Sequence, residues 1–142
     1  MKIAALMAEK KIKGRKRHIV VDTLGNLLAI VVHAANIHDT KSGIRVAESA
    51  CKIYGKLKGF CADAGYAGTF VEQVKKKLGL KTDIVKRKDK EKWGVLAKRW
   101  IVERTFAWLN NFRGLSKDYE LTTSSAESMI KLAFSKILLN RL

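Results

Sequence analysis

Acidic residues are scarce in this chain: 13 Asp and Glu stand against 29 Lys and Arg, a formal net charge of +16 in 142 residues. A surface that basic concentrates polyanions, and nucleic acid is the commonest such partner; a ribosomal-type or merely solubilising charge excess is the other reading. Cysteine is nearly absent. Cys51 and Cys61 have no C-x-x-C spacing, so they make neither a disulfide scaffold nor a zinc site. No apolar run approaches the length of a membrane span and no signal peptide opens the chain, so a cytoplasmic protein without a membrane partner is expected. Internal repeats and low-complexity segments are also missing. What remains, 47% apolar residues, is enough for one core but not two, and the chain is expected to fold as a single domain.

Residues 1–10 read as an arbitrary start rather than the opening of a packed element. Lys11 to Arg17 form a basic run, either a solvated arm or a direct phosphate contact. The β-branched runs His18–Asp22 and Leu27–Val32 flank Thr23-Leu24-Gly25-Asn26 and predict a β-hairpin. Asp39-Thr40 offers N-cap chemistry for a helix to about Ile53, with Ile44, Val46, Ala47 and Ala50 as its buried positions. A strand over Phe60 to Ala62 ends at Asp63, and a helix from Thr69 to Leu78 stops at Gly79. Lys81 to Lys86 reads as a short strand, 87–94 as a charged loop, and Ala97 to Phe112 as a helix ended by Gly114. Ser124-Ser125-Ala126-Glu127 is a capping box opening a last helix to Leu139. This order predicts a mixed α/β sheet covered by helices.

Two carboxylates stand out. Asp63 is delivered by a short apolar strand into the glycine-rich turn Asp63-Ala64-Gly65-Tyr66-Ala67-Gly68. Glu103 sits in Arg99-Trp100-Ile101-Val102-Glu103-Arg104-Thr105-Phe106-Ala107-Trp108-Leu109, which reads as a buried helix carrying one acid. A buried free carboxylate is costly unless paired, neutral or metal-bound. Two acids from separate elements suggest a hard-cation site, and the basic background suggests phosphate as substrate. The local alternatives are that Asp63 caps the Gly65 turn and that Glu103 pairs with Arg99. Asp22 reads as a turn former and Asp39 as an N-cap; His18, His33 and His38 lack ligand spacing.

With these motifs in this order, the chain resembles the catalytic domain of DDE transposases from small bacterial insertion sequences, which has a ribonuclease-H-like fold. Lys13 to Gly25 look like that domain's second and third strands, Asp63 to Gly68 like its fourth strand and second catalytic Asp, and Arg99 to Trp108 like its catalytic-Glu helix. The likeness runs from about Lys11 to Leu142 and implies DNA transposition: metal-dependent strand cleavage and strand transfer. It makes Asp63 and Glu103 catalytic residues and ligands of Mg²⁺ or Mn²⁺, with transposon ends and target DNA as partners.

The departures from the family pattern matter equally. Its first Asp lies on a first strand upstream of the basic run, where this chain has only residues 1–10 and a single acid, Glu9. The expectation is therefore a partial catalytic domain over 11–142, its first strand and acid missing, with an upstream transposase segment or a second copy as further partners. An exposed sheet edge and self-association would follow. The family's Tyr and Lys or Arg around the Glu fall here on Leu96 and Asn110, with Arg113 the nearest basic residue. Expected DNA contacts are Lys13, Arg15, Lys16, Arg17, Lys86, Arg87, Lys88, Trp93, Arg99 and Arg104, with Trp100 and Trp108 in the core. Two competing functions are a non-catalytic DNA-binding remnant and a ribonuclease-H-like nuclease acting on another substrate.

Overall fold

In the computed structural model, residues 3–11, 14–85, 93–115 and 119–142 are described. Lys13, Lys86, Arg87 and Lys88 lie outside them, as do the side chains of Trp93 and Arg99. Five strands, β1 (Ile3–Lys11), β2 (Arg15–Val21), β3 (Leu27–Ala34), β4 (Gly59–Asp63) and β5 (Lys81–Val85), form one sheet in the order β3-β2-β1-β4-β5. The four helices are α1 (Asp39–Ile53), α2 (Thr69–Leu78), α3 (Trp93–Asn110) and α4 (Thr123–Leu139). The first three strands pair antiparallel, while β4 pairs parallel to both β1 and β5.

The first strand is present, which corrects the expectation that residues 1–10 lie outside the domain. β1 occupies the middle of the sheet, with Ala5 opposite Val21 on one side and opposite Cys61 on the other. Its neighbours are already paired, so the anticipated open edge is not there; β3 and β5 are the edges. The reason is burial on both faces. Ala4 and Leu6 join the core under α1 and α2, and Ala5 joins the core under α3 and α4. A strand buried on both faces reads as a continuous apolar run, without alternation. Ala, Leu and Met are also weak strand formers, so local propensity gave no signal.

The two cores divide the molecule into three layers. Val20, Val31, Phe60, Ile44, Val46 and Phe70 pack on the α1–α2 side. Ile19, Ile30, Val102, Phe106, Leu109 and Ile130 pack on the other. The hairpin, β4, α2 and β5 fall where the sequence puts them, and Asp22 closes the hairpin turn by accepting from the Leu24 and Asn26 amides at 2.9 and 2.8 Å.

Three helix starts move. His38 rather than Asp39 caps α1, its Nδ1 accepting from the Thr40 amide at 3.4 Å. α3 begins at Trp93, so that residue opens a helix instead of lying in a loop. Thr122 caps α4 by accepting from the Ser125 amide at 3.1 Å. Glu127 is thereby released from the expected capping box, and its Oε1 accepts the Val32 amide of edge strand β3 at 2.9 Å.

Candidate active site

Asp63 stands at the carboxyl end of β4, where the chain leaves the sheet into a 3-10 turn over Ala64–Tyr66. Its Oδ1 accepts from the Gly65 amide at 3.0 Å, so the turn-capping role expected from the motif is real. α3 packs across β1 and β4, and Val102 lines a small cavity with Ala5, Leu6 and Asp63. Glu103 is the next residue of that helix. Contrary to the expectation of a buried acid, it is exposed, as are Trp100 and Ala107. α3 hides Val102, Thr105, Phe106 and Leu109 and turns a mixed face outward. The expectation failed because two of that face's residues are tryptophans, which look apolar in sequence but need not be covered.

A second carboxylate approaches Asp63 from α1. The point where a Gly65 Cβ would sit lies 3.2 Å from Asp63 Oδ1 and 3.8 Å from Asp39 Oδ2. Asp39 is held by Lys16, Nζ to Oδ1 2.6 Å. Behind the turn, Tyr66 is buried at 1% exposure, and its hydroxyl meets His18 Nδ1 at 2.5 Å. His18 Nε2 meets His33 Nε2, and His33 Nδ1 meets the Ala34 carbonyl at 2.6 Å.

The carbonyl can only accept, which sets the direction of the whole chain of bonds. His33 Nδ1–H donates to it, His18 Nε2–H donates to His33, and the Tyr66 hydroxyl donates to His18. Burial, and next the neighbouring His33, lower the His18 pKa from 6.5 to about 4, so the ring is neutral as this pattern requires. Burial, followed by Asp63 and Asp39, raises the Tyr66 pKa and keeps the phenol protonated. The Tyr66 ring fits only because α1 has Gly43 beneath it: a Cβ there would come within 2.7 Å of Cε1. No spacing in the sequence joins His18, His33 and Tyr66; alternation placed both histidines on one sheet face, and only the fold brought the tyrosine to them.

The basic arm is not a free arm. Arg17, 4% exposed, donates both Nη atoms to the Leu115 carbonyl at 3.2 Å and is a core residue, which corrects its expected DNA contact. Arg15 donates to the Glu120 and Leu121 carbonyls at 2.9 and 2.7 Å, and Lys16 is the partner of Asp39. These residues fasten the sheet to the segments around it. Trp100 is corrected as well, from core to surface. Arg104 stacks on it and on Trp108, with its Cζ 4.8 and 4.5 Å from the two ring centroids.

A hard divalent ion wants several oxygen donors. No group of three or more His, Cys, Asp or Glu positioned to hold a metal exists among the described residues. Ala5, which lines the cavity with Asp63, has no side-chain oxygen to offer. Asp63 and Glu103 alone therefore do not fit a complete metal site. No described helix is long and apolar enough to cross a membrane.

Comparison with known proteins gives this geometry a family. The chain is 31% identical over 137 residues to a Burkholderia cepacia protein assigned as the transposase of insertion sequence element IS402. That match covers 91% of this chain but 64% of the relative, so the chain spans just under two thirds of its length. In fold it is similar to the HTLV-2 integrase catalytic core domain solved in complex with magnesium (TM-score 0.59, 17% identity, 94% of this chain and 83% of that one). The BIV integrase catalytic core is similar too (TM-score 0.58, 13% identity, 93% and 80%). A third likeness is to a chain of the simian T-cell lymphotropic virus intasome (TM-score 0.63, 15% identity, 94% and 46%). The five-stranded sheet flanked by helices is thus ribonuclease-H-like. Residues 6–135 match the family model of the Transposase DDE domain, and the chain belongs to that family.

Proposed function

We propose that this chain serves DNA transposition as a DDE transposase domain that binds DNA, with Asp63 and Glu103 as the second and third acids of a catalytic triad. The observation that carries the reading is the meeting of β4 and α3. Asp63 ends the strand, and Val102, one residue before Glu103, lines the same cavity as Asp63. Family membership and the net charge of +16 support transposon ends and target DNA as partners. Mg²⁺ or Mn²⁺ is the ion proposed for a site completed by a third carboxylate. The alternative reading, a non-catalytic DNA-binding remnant, applies only if no third carboxylate completes the site. Residues Lys13, Lys86, Arg87, Lys88, Trp93, Arg99 and Arg104 remain proposed DNA contacts.

The test is a salt titration of duplex binding with the purified chain. Each phosphate contact releases counterions, so affinity is expected to fall about tenfold or more between roughly 50 and 200 mM salt, with little sequence preference. Strand transfer with either ion is expected to be absent. Salt-independent binding overturns the DNA reading, and joined products overturn the incomplete triad.

A further inference from the structure

Beside Glu103, and outside the proposed triad, an alternating stack of rings and guanidinium groups runs along the outer face of α3 to the end of α4. Arg104 lies over the rings of both Trp100 and Trp108, and Arg141 also lies over Trp108 with its Cζ 4.7 Å from the ring centroid. Two hydrogen bonds tie the stack to the hairpin turn: Arg104 Nη2 donates to the Leu24 carbonyl at 3.3 Å, and Arg141 Nη1 to Asn26 Oδ1 at 3.1 Å. Gly25, at φ 84°, turns the chain close enough for this, since a Cβ there would come 3.1 Å from Arg104 Nη2. The open groove lined by these residues, with Thr23, Leu24 and Ile101, contains two arginines and no acid.

One end of the stack is unfinished. Trp108 carries two guanidinium groups, Arg104 and Arg141, whereas Trp100 carries one and is 57% exposed, with Leu24 beside it 70% exposed. A strap that only fastened the hairpin to α3 would need Arg104 and Trp108 but no exposed indole beyond them. We infer that Trp100 is a stacking platform for an unpaired nucleotide, with Arg104 and Arg141 drawing the adjoining phosphates into the groove. A nucleobase is the flat, anion-linked group that matches an open indole next to guanidinium groups. Glu103 lies three residues along α3 from Trp100, so the platform neighbours the proposed triad. This inference rests on the DNA reading above and adds to it a preference for DNA with a single-stranded tail.

The experiment compares a blunt duplex with the same duplex carrying a short single-stranded tail, using the full chain and following tryptophan fluorescence and binding. The tailed duplex is expected to bind more tightly. Trp100→Ala is expected to remove about tenfold of its affinity, the usual scale for losing one base stack, and to leave the blunt duplex unchanged. Trp100→Tyr, which keeps a ring, is expected to retain most of the preference. Equal binding of both duplexes by the unmodified chain overturns the platform while leaving the DNA reading intact; failure to bind either overturns both. If Trp100→Ala shifts the sedimentation of the free chain and not its tailed-duplex affinity, the face is a contact between copies and the platform is overturned.

Discussion

His18 is the residue through which the turn after Asp63 responds to pH. Unfolded, its ring takes a proton near the ordinary 6.5; folded, only near about 4. Between those values the unfolded chain holds more protons, so stability is intact above about 6.5 and is lost as pH falls toward 4, by on the order of 3 kcal/mol. The groups facing the ring are His33, Tyr66, Asp39 and Lys16; His33 and Lys16 lower the pKa as burial does, and only Asp39 opposes them, by less than burial contributes. Urea unfolding at about pH 7 and about pH 5 checks this, and a flat profile across that interval would count against a neutral buried ring. Gly43 supports the same turn from below. Gly43→Ala would drive a methyl into the Tyr66 ring, and overpacking of this kind costs about 1–3 kcal/mol by denaturant titration. A mere helix-propensity effect would go the other way, since alanine stabilises a helix interior relative to glycine.

At the scale of elements, α4 is joined to the sheet by polar bonds at its start as well as by its apolar face. Thr122 caps it and Glu127 takes the Val32 amide of the edge strand. Thr122→Ala is expected to cost about 1 kcal/mol, the ordinary worth of an N-cap side chain. Glu127→Ala should cost a comparable amount for a different reason, because it frees an edge-strand amide. Hydrogen exchange separates the two: only Glu127→Ala should speed exchange at Val32. Arg15 acts in the same manner from β2, holding the carbonyls of Glu120 and Leu121. A basic run that composition assigns to solvent is thus partly a set of fasteners. A guanidinium can satisfy several carbonyls at once, as Arg15 does, or hold one carbonyl with two donors, as Arg17 does, and its fixed fork suits this role better than a lysine would.

For the whole molecule, the decisive feature is a five-stranded sheet with β1 at its centre and, among the described residues, no group of three or more His, Cys, Asp or Glu placed to hold a metal. β1 is central and already paired on both sides, so no upstream strand can simply add at its place. A third carboxylate for the proposed site is better supplied within β1. Ala5→Asp puts a carboxylate in the cavity with Asp63, where burial of an unpaired charge should cost several kcal/mol. Mg²⁺ or Mn²⁺ should recover much of that loss as a rise in Tm, and Asp63→Asn in the same background should cancel the recovery. If neither ion stabilises the Ala5→Asp chain, the assignment of Asp63 to a metal site is wrong. The two cores on opposite faces of the sheet also mean that this substitution perturbs chiefly the α3–α4 side.

Wherever the deciding forces were local, the sequence alone determined the outcome: the hairpin from its β-branched runs and Asp22 turn, the strand ending at Asp63, α2 stopping before Gly79, and the order of motifs that marks the family. Those features rest on alternation, capping and turn chemistry, which act within a few residues. Tertiary structure decided the rest. Ile3–Lys11 is a strand only because layers cover both its faces, and Trp100 is exposed only because α3 turns that face from the sheet. His18, His33 and Tyr66 meet because a sheet face and a turn distant in sequence converge on Gly43. Burial and long-range hydrogen bonding depend on what packs opposite, and no stretch of sequence carries its own neighbour.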